Sequence, residues 1–305
     1  MVISAVRSLL SGAVLSGTPL LYATIAELIG ERAGIVNLGL EGVMLMGAVV
    51  GFVAMVHTGS AGLALLAGAL AGALFNMIFA FLVITRRANQ LASGLALMFC
   101  GVGLSALIGG PSIGSQIAGL PEIRIAGLAD LPLVGAVLFQ HDGLVYAAAP
   151  VAVLAWWVLF CTRWGLSLRA VGENPTAAFA AGKNPHALQY QALFIAGLLG
   201  GIAGVHLSLG PARTWAEWMT AGRGFIAVAL VIFSKWHPLR AIAGALLFGG
   251  AISLELQLQA LGVPVSPFLL DMLPYVLSLA VLAAWSGARR HAAPGSLGRV
   301  FQRTD

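Results

Sequence analysis

Long apolar runs separated by short polar breaks dominate this chain and limit what it can fold into. A helix needs about 20 apolar residues to cross the hydrocarbon core of a bilayer. Eight of nine such runs approach that length, whereas the seventh is too short to span alone. The pattern predicts an all-α, polytopic integral membrane helical bundle with about nine or ten transmembrane spans. The nine runs are residues 8–28, 38–56, 61–84, 91–109, 143–161, 187–209, 224–233, 239–257 and 267–285.

The small number of charged residues excludes the main soluble classes. Only 9% of the residues are charged, whereas an ordinary soluble domain has roughly 25%. So few charges cannot cover a water-exposed surface, which excludes a soluble enzyme and a disordered protein for the chain as a whole. The basic residues form no stripe or cluster, so no nucleic-acid partner is expected. Membrane lipid is the expected surrounding.

The basic residues are distributed unequally between the two ends of the predicted spans. If the C-terminus is cytoplasmic, four basic residues lie outside and twelve inside, and cytoplasmic loops are normally rich in Lys and Arg. Nine spans place the N-terminus outside, and a tenth, re-entrant segment near 29–42 would place it inside. The outer four are Arg7, Arg124, Arg213 and Arg223. The inner twelve are Arg32, Arg86, Arg87, Arg163, Arg169, Lys183, Lys235, Arg240, Arg289, Arg290, Arg299 and Arg303.

Polar residues inside the predicted spans are the candidates for a translocation path. Ionisable groups are costly in hydrocarbon and are functional candidates there. Asn37 and Glu41 are four residues apart and would share one helix face, as would Glu255 and Gln259. The alternative is that an acid reaches headgroup water or bonds across the bundle. The path candidates are Asn37, Glu41, Asn76, Ser253, Glu255, Gln257 and Asp271.

Motifs for covalent chemistry are weak in this sequence. Residues 110–114, GPSIG, match the GxSxG pattern, but a nucleophile elbow needs a strand before the serine, and here a membrane span precedes it. A GxxxxGK[ST] phosphate loop is missing, so this chain is not expected to bind ATP. The two cysteines, Cys100 and Cys161, suggest neither a disulfide nor a metal site. We expect no catalytic residues and no metal.

The longest polar stretch, residues 163–191, contains a candidate docking helix. Turn signals at Gly172 and at Asn174-Pro175 precede an alanine-rich helical run over 176–181, which Gly182 ends. The charge distribution places this stretch in the cytoplasm. A short amphipathic helix between two turns is either a solvated loop or a contact for a cytoplasmic partner.

A faint internal similarity suggests an inverted repeat. The segment 39–42 opens one run and is followed by the motif AGAL at 67–70, while 222–224 opens another and is followed by AGAL at 243–246. On the nine-span count these two units run in opposite directions, an arrangement common in transporters.

Three motifs carry a resemblance to a known family. They are residues 31–42 (ERAGIVNLGLEG) with 44–47 (MLMG), residues 172–182 (GENPTAAFAAG), and residues 222–229 (GRGFIAVA) ahead of 236–240 (WHPLR). With these motifs the chain resembles the inner-membrane permease subunit of ATP-binding-cassette (ABC) importers. It falls in the branched-chain amino acid/ribose/simple-sugar permease superfamily and is most similar to its nucleoside-type permeases.

The resemblance implies a set of partners in a bacterial plasma membrane. They are a cytoplasmic ABC ATPase, a second permease subunit expected to be related but not identical, and an extracytoplasmic solute-binding protein. The chain itself would bind no cofactor, because ATP and Mg would be on the ATPase. The residues implied to form the ATPase-coupling helix are Gly172, Glu173, Asn174, Pro175, Ala177, Ala178, Ala181 and Gly182.

These expectations divide the chain into two parts. Residues 1–286 would form the transmembrane permease domain, with a cytoplasmic coupling loop at about 163–186 and outer loops at about 110–142 and 210–222. Residues 287–305 would be a basic cytoplasmic tail. Complementary charges on the outer loops could dock the binding protein. The outer docking candidates are Glu122, Arg124, Asp130, Arg213, Trp215, Glu217 and Arg223.

The expected function is passage of a small neutral polar solute, a nucleoside first and a simple sugar next. Three alternatives stay open at this point. One is an ABC permease for branched-chain amino acids. Another is an ion-coupled secondary transporter with a proton site at Glu41, Glu255 or Asp271. The last is an intramembrane hydrolase that uses Ser112 with His206 or His141.

Overall fold

Helices account for nearly all of the regular secondary structure. The computed structural model describes residues 2–129, 131, 134–262, 265–266, 269–270, 272–285 and 293–299. In chain order the helices and strands are α1 (Val2–Arg32), α2 (Leu40–Thr58), α3 (Ala61–Ala80, extended by a π-helical turn, Phe81–Thr85), α4 (Gln90–Gly109, extended by a 3-10 turn, Gly110–Ser112), β1 (Glu122–Arg124), α5 (Val134–Leu138), β2 (Gln140–Asp142), α6 (Gly143–Cys161), α7 (Arg163–Glu173), α8 (Pro175–Ala180), α9 (Pro185–Leu209), α10 (Arg223–Phe233), α11 (Pro238–Ala260) and α12 (Leu273–Trp285).

Seven helices of the described residues are long and apolar enough to cross a membrane. They confirm the predicted all-α polytopic bundle. The seventh predicted run forms α10, which has only 11 residues. The described helical part of the ninth run is α12, with 13 residues. The tenth segment suggested near 29–42 is not a separate helix, because α1 continues to Arg32 and residues 33–39 are non-helical. The seven are Val6–Arg32, Leu40–Thr58, Ala61–Thr85, Gln90–Ser112, Gly143–Cys161, Pro185–Leu209 and Pro238–Ala260.

The helices begin where polar side chains can accept bonds from free backbone N–H groups. Asn89, Asp142 and Asn184 each precede a spanning helix and cap its first turn. Asn174 caps α8 in the same way, accepting a bond from the Ala177 N–H at 3.0 Å. Such caps stabilise a helix by about 1 kcal/mol each. They fix the boundaries between membrane segments and surface breaks.

Glycines bring α2, α3 and α9 into close contact. A Cβ atom added at Gly204 would lie 2.7 Å from the Ala48 nitrogen of α2, and one at Gly72 would lie 2.6 Å from the Gly201 Cα of α9. Ser208 Oγ of α9 also donates to the Ala48 carbonyl at 3.0 Å. Small residues allow helix backbones to approach in lipid. These three helices therefore form one tightly packed block.

The helix directions show the inverted arrangement that the repeated motifs suggested. α9 runs parallel to α2 and antiparallel to α3, while α1 runs parallel to α10 and antiparallel to α11. α1 and α9 pack against each other between the two sets. α2 and α10 start beside each other inside the bundle and run toward opposite ends of it. The two halves are therefore related by inversion across the membrane.

Contacts between distant segments gather the predicted cytoplasmic breaks at one end of the bundle. The Arg32 guanidinium donates to the Trp236 carbonyl at 2.9 Å, and the Thr85 and Tyr190 hydroxyls lie 2.6 Å apart. At the opposite end, β1 and β2 form an antiparallel ribbon in the outer loop. The sequence did not predict this ribbon or the short helix α5.

Candidate translocation and coupling sites

Glu41 lies deep in the bundle, in the first turn of α2. The neighbouring side chains Leu40 and Val43 lie against Gly200 of α9. Gly200 is fifteen residues after Pro185, where α9 begins, which is roughly 22 Å along the helix at 1.5 Å per residue. With a hydrocarbon core about 30 Å thick, this places the N-terminus of α2 inside the membrane.

The Glu41 carboxylate connects α2 to the N-terminus of α10. Its Oε1 accepts bonds from the Thr220 hydroxyl at 2.5 Å and from the Gly222 N–H at 2.7 Å. Its Oε2 accepts from the Gly224 N–H at 2.5 Å. The first N–H groups of a helix have no partner within the helix, and a negative charge there is favoured by the helix dipole. One buried carboxylate on the first turn of α2 thus accepts hydrogen bonds at the start of α10. The two helix starts meet inside the membrane.

Arg223 lies beside this junction and not at the outer surface, where the sequence had placed it. Its guanidinium donates to the Met219 and Thr220 carbonyls at 3.1 and 3.2 Å, and it is within electrostatic range of Glu41 and Glu255. Its buried Nε has no hydrogen-bond partner among the described residues. A basic side chain therefore lies inside the bundle, within electrostatic range of the Glu41 carboxylate. The cause is that residues 211–222 fold back into the bundle before α10 begins.

A series of hydrogen bonds through carboxylate and amide groups holds the non-helical segment 33–39 in place. Glu27 Oε1 accepts from the Asn37 N–H at 2.8 Å, and the Asn37 amide donates to Asn76 Oδ1 at 2.7 Å. The Asn76 amide in turn donates to the Leu193 carbonyl of α9 at 2.6 Å. These hydrogen bonds join α1, α3 and α9 through this segment. Asn37 lies before α2, so it does not share a helix face with Glu41 as predicted.

The path candidates divide into buried and accessible groups. Asn37, Glu41 and Asn76 are buried, with 3% or less of each exposed, and all three bond to protein groups. Ser253 is also buried and donates to the Leu9 carbonyl at 3.1 Å. Their role in lining a path stays a prediction.

The accessible candidates lie on one helix. Glu255 and Gln257 of α11 are half-buried. Glu255 accepts a 3.4 Å bond from Gln259, as their four-residue spacing predicted. Asp271 lies outside the described residues.

The predicted coupling loop forms two helices at the end of the bundle where α1 ends. α7 is amphipathic, with charged and polar residues on its outer face, and the sequence analysis missed it because Gly172 was interpreted as a turn. Gly172 is instead helical and lies against the Arg32 carbonyl. α8 follows at Pro175, close to the predicted 176–181. Gly182 ends it with φ of 78°, a left-handed conformation that favours glycine.

The exposed face of α8 does not include every residue that was implied to contact the ATPase. Ala178 is only 5% exposed and faces the bundle. Phe179 is 43% exposed and projects from the surface, together with Ala177 and Ala181. Sequence reasoning omitted Phe179, although an aromatic residue in an alanine-rich surface helix is a recognisable signal.

A second cluster ties α1 to the break after α10. The Trp236 indole N–H donates to Glu31 Oε2 at 2.5 Å, while Arg32 donates to the carbonyl of the same tryptophan. The Phe160 ring lies between the Arg32 and Arg169 guanidinium groups, at 5.4 and 4.8 Å from its centroid. Cation–π contacts of this kind add to packing at partly buried sites. These contacts thus join the C-terminal end of α1 to α7 and to the turn at Trp236.

The outer end holds a cavity of about 440 Å³ lined largely by polar groups, including Ser11, Gln140 and Arg213. Asp142 lies at its base and accepts bonds from the Leu144 and Val145 N–H groups and from His206 Nε2 at 3.2 Å. Burial opposes ionisation of Asp142, but the bond and charge of His206 and the backbone N–H groups outweigh it, so its pKa lies below the usual value.

The outer docking candidates are only partly at the surface. Glu122, Arg124, Arg213 and Glu217 are exposed. Glu122 and Arg213 pair at 3.0 Å, with about half of the Arg213 side chain and two thirds of the Glu122 side chain exposed. Trp215 is 1% exposed and packs on Gly109, so it cannot offer an outer aromatic surface. Asp130 lies outside the described residues.

Similarity to known proteins extends over most of the chain. A provisionally named glucose ABC transporter permease protein of Haloferax volcanii is 40% identical over 85% of this chain and 80% of its own length. A nucleoside ABC transporter permease protein of Lactococcus lactis is 36% identical over 94% of each chain. A guanosine ABC transporter permease protein of Bacillus subtilis is 35% identical over 88% of this chain and 89% of its own length.

The family model described as "Branched-chain amino acid transport system / permease component" matches residues 8–282. This range includes the Glu41 junction, the Trp236 cluster, the cavity lined by Asp142 and both helices of the predicted coupling loop, α7 and α8. The chain therefore belongs to the branched-chain amino acid transport system permease component family, as a multi-pass membrane protein.

Proposed function

We propose that this chain is the permease subunit of an ABC importer and carries a small neutral polar solute, a nucleoside first and a simple sugar next. The observation that carries the proposal is the similarity, over most of both chains, to permease proteins named for guanosine, nucleosides and glucose. The chain would provide the path and perform no covalent chemistry. ATP and Mg would be bound by a separate ATPase.

The internal acids support a neutral solute. Glu27, Glu31 and Glu41 each accept hydrogen bonds from protein groups, so their carboxyl groups are already bonded within the bundle. The outer cavity of about 440 Å³ lies in the size range of small-molecule sites, roughly 300–1,000 Å³. Its hydroxyl, amide and carboxylate groups suit the hydroxyls of a ribose or a sugar. A proton-coupled mechanism through Glu41 is disfavoured, because protonation would remove an acceptor from a helix N-terminus.

The substrate proposal predicts selective ATP-driven uptake. Vesicles containing the whole complex and its binding protein should accumulate labelled guanosine more than ribose, and ribose more than leucine. Unlabelled nucleosides should abolish guanosine uptake, since they would compete for one binding protein and one path. Leucine uptake that nucleosides fail to compete away would contradict the nucleoside proposal and favour the branched-chain amino acid alternative.

We propose that α8 docks the ATPase through Phe179. An exposed aromatic side chain on a short helix can enter a groove, whereas the buried Ala178 holds the helix to the permease. Replacing Ala178 with arginine would therefore disturb the packing of α8 on the bundle.

A Phe179→Asp variant should lose at least about tenfold of ATP-driven uptake, since it places a charge in an apolar contact. Gly182→Asp should act in the same direction, because it adds a charge beside the exposed face of α8 and aspartate adopts the left-handed conformation less readily than glycine. Both variants should retain wild-type amounts of monodisperse permease but fail to co-purify the ATPase. Phe179→Leu serves as the matched control. Normal uptake by the aspartate variants would show that α8 is not the docking site.

The partner permease and the orientation are also proposed. A second, related permease subunit would complete the path, and the exposed carboxylate and basic groups of the outer loops would dock the binding protein. The end of the bundle that carries Arg32, Arg86 and Arg169 would face the cytoplasm, and so would the C-terminus, in accord with the charge distribution.

Cysteine labelling tests this orientation. In a variant without Cys100 and Cys161, an Arg86→Cys substitution should be unreactive toward an impermeant thiol reagent in intact cells and become reactive after permeabilisation. Glu217→Cys should react in intact cells, since both positions are exposed at opposite ends of the bundle. Labelling at position 86 from outside would reverse the orientation.

A further inference from the structure

The described part of the C-terminal segment, residues 293–299, lies across the cytoplasmic end of the bundle. The sequence predicted only a basic tail here, and basic tails are usually solvated. Instead, Ser296 is 5% exposed and contacts elements that are far apart in the chain. We call residues 293–299 the C-terminal strap.

The strap bonds first to the end of α7. Ser296 Oγ and Ser296 N–H both donate to the Gly172 carbonyl, at 2.6 and 2.9 Å. The Gly295 N–H donates to Glu173 Oε2 at 3.1 Å. Gly172 and Glu173 are the last residues of α7, directly before Asn174, which caps α8. The strap therefore holds the base of the helix that we assign to ATPase docking.

The strap also bonds to the start of segment 33–39, which enters the membrane. The Gly298 N–H donates to the Gly34 carbonyl at 3.2 Å. Gln90 at the start of α4 joins the same contact, because its Oε1 accepts from the Val36 N–H at 2.9 Å. Gly34 has φ of 87° and touches Ser296, so the contact leaves no space for a side chain. Gly34 and Gly172 also approach each other closely.

Segment 33–39 leads from this contact into the membrane. Its far end is fixed by Asn37, and α2 begins at Leu40, one residue before the Glu41 junction. The described structure thus contains a continuous bonded route from α8 to the paired helix starts. The route uses backbone bonds and close glycine contacts, which transmit displacement better than flexible side chains.

We propose that the C-terminal strap is a positioning element for coupling, which fixes the base of α8 to segment 33–39 so that both move together. This proposal rests on the proposed ATPase-docking role of α8. A displacement of α8 by the ATPase is then passed through Ser296 and Gly34 to the N-terminus of α2. Without the strap, only the direct contact of Gly172 with Arg32 and Gly34 joins α8 to this segment, and ATP hydrolysis is coupled less tightly to uptake.

The test measures ATP hydrolysis and solute uptake together in proteoliposomes that contain the whole complex. Ser296→Ala removes one bond to Gly172 and keeps the backbone. It should leave hydrolysis near the wild-type rate and raise the ATP consumed per solute about fivefold, as expected for one buried hydrogen bond. A chain that ends at residue 292 should show a larger increase. Ser167→Ala is the matched control, because the Ser167 hydroxyl bonds only within α7.

The outcomes separate this proposal from the docking proposal. An unchanged ratio of ATP consumed to solute transported in Ser296→Ala overturns the strap proposal, and so does a parallel fall of hydrolysis and uptake. The strap would then contribute only to assembly of the complex or have no role in transport. If Phe179→Asp also transports normally, the docking role of α8 fails as well. If Phe179→Asp loses the ATPase while Ser296→Ala keeps the wild-type ratio, only the strap proposal is wrong.

Discussion

A Glu41→Gln variant should be destabilised by roughly 3 kcal/mol and lose at least about tenfold of its uptake. The carboxylate accepts three bonds through both oxygens, from Thr220, Gly222 and Gly224. Glutamine has only one acceptor oxygen, so at least one backbone N–H of the α10 start would be unpaired inside the membrane. Arg223 would also lose a neighbouring negative charge. The measurement is the melting temperature of the purified permease together with ATP-driven uptake.

The control for this prediction is Glu217→Gln, because Glu217 is an exposed acid that precedes the same helix. It should melt at the wild-type temperature. Glu41→Asp should be intermediate, since it keeps the charge but is one methylene shorter. A Glu41→Gln variant with wild-type stability would mean that the α10 start does not depend on this carboxylate.

A Gly204→Val variant should fail to give a stable permease. Its Cβ would meet the Met44 carbonyl and lie 2.7 Å from the Ala48 nitrogen, and these are backbone atoms that cannot rotate away. Separating α2 from α9 would also break the Ser208 bond to Ala48. Overpacking of this kind costs about 3 kcal/mol or more. The expected result is a large fall in the amount of monodisperse protein after detergent extraction.

Gly103→Val is the matched control for this packing prediction. Gly103 lies within α4, and a Cβ added there meets nothing within 4 Å. Valine at this position should leave the yield and the melting temperature nearly unchanged. If both valine variants behave alike, the close approach of α2 and α9 does not limit the fold.

The order and extent of the spans follow directly from the sequence because hydrocarbon imposes a strict length on each apolar run. Polar breaks at Arg86-Arg87 and Arg163 therefore marked real helix ends. The short α10 was also visible as a run of only ten apolar residues. The apolar pattern could not predict where a short helix starts relative to the membrane, because this depends on how residues 211–222 fold back into the bundle.

The sites were less predictable because their bonds join residues far apart in the chain. Glu41 was selected as an intramembrane acid, but its partners Gly222 and Gly224 lie some 180 residues away and offer only backbone N–H groups. A side-chain pattern cannot show such partners. Trp215 was misplaced for a related reason, since nothing local indicates that Gly109 leaves space for its ring.

The proximity of Glu41 and Arg223 has an electrical consequence. A single charge that crosses the whole bilayer exchanges about 2.3 kcal/mol with a 100 mV membrane potential. Here both charges are bonded to the same turn, residues 219–224, so one cannot be displaced without the other. Opposite charges that move together transfer almost no net charge through the field. Import of an uncharged solute by this permease should therefore depend on the cellular ratio of ATP to ADP and hardly at all on the voltage across the membrane.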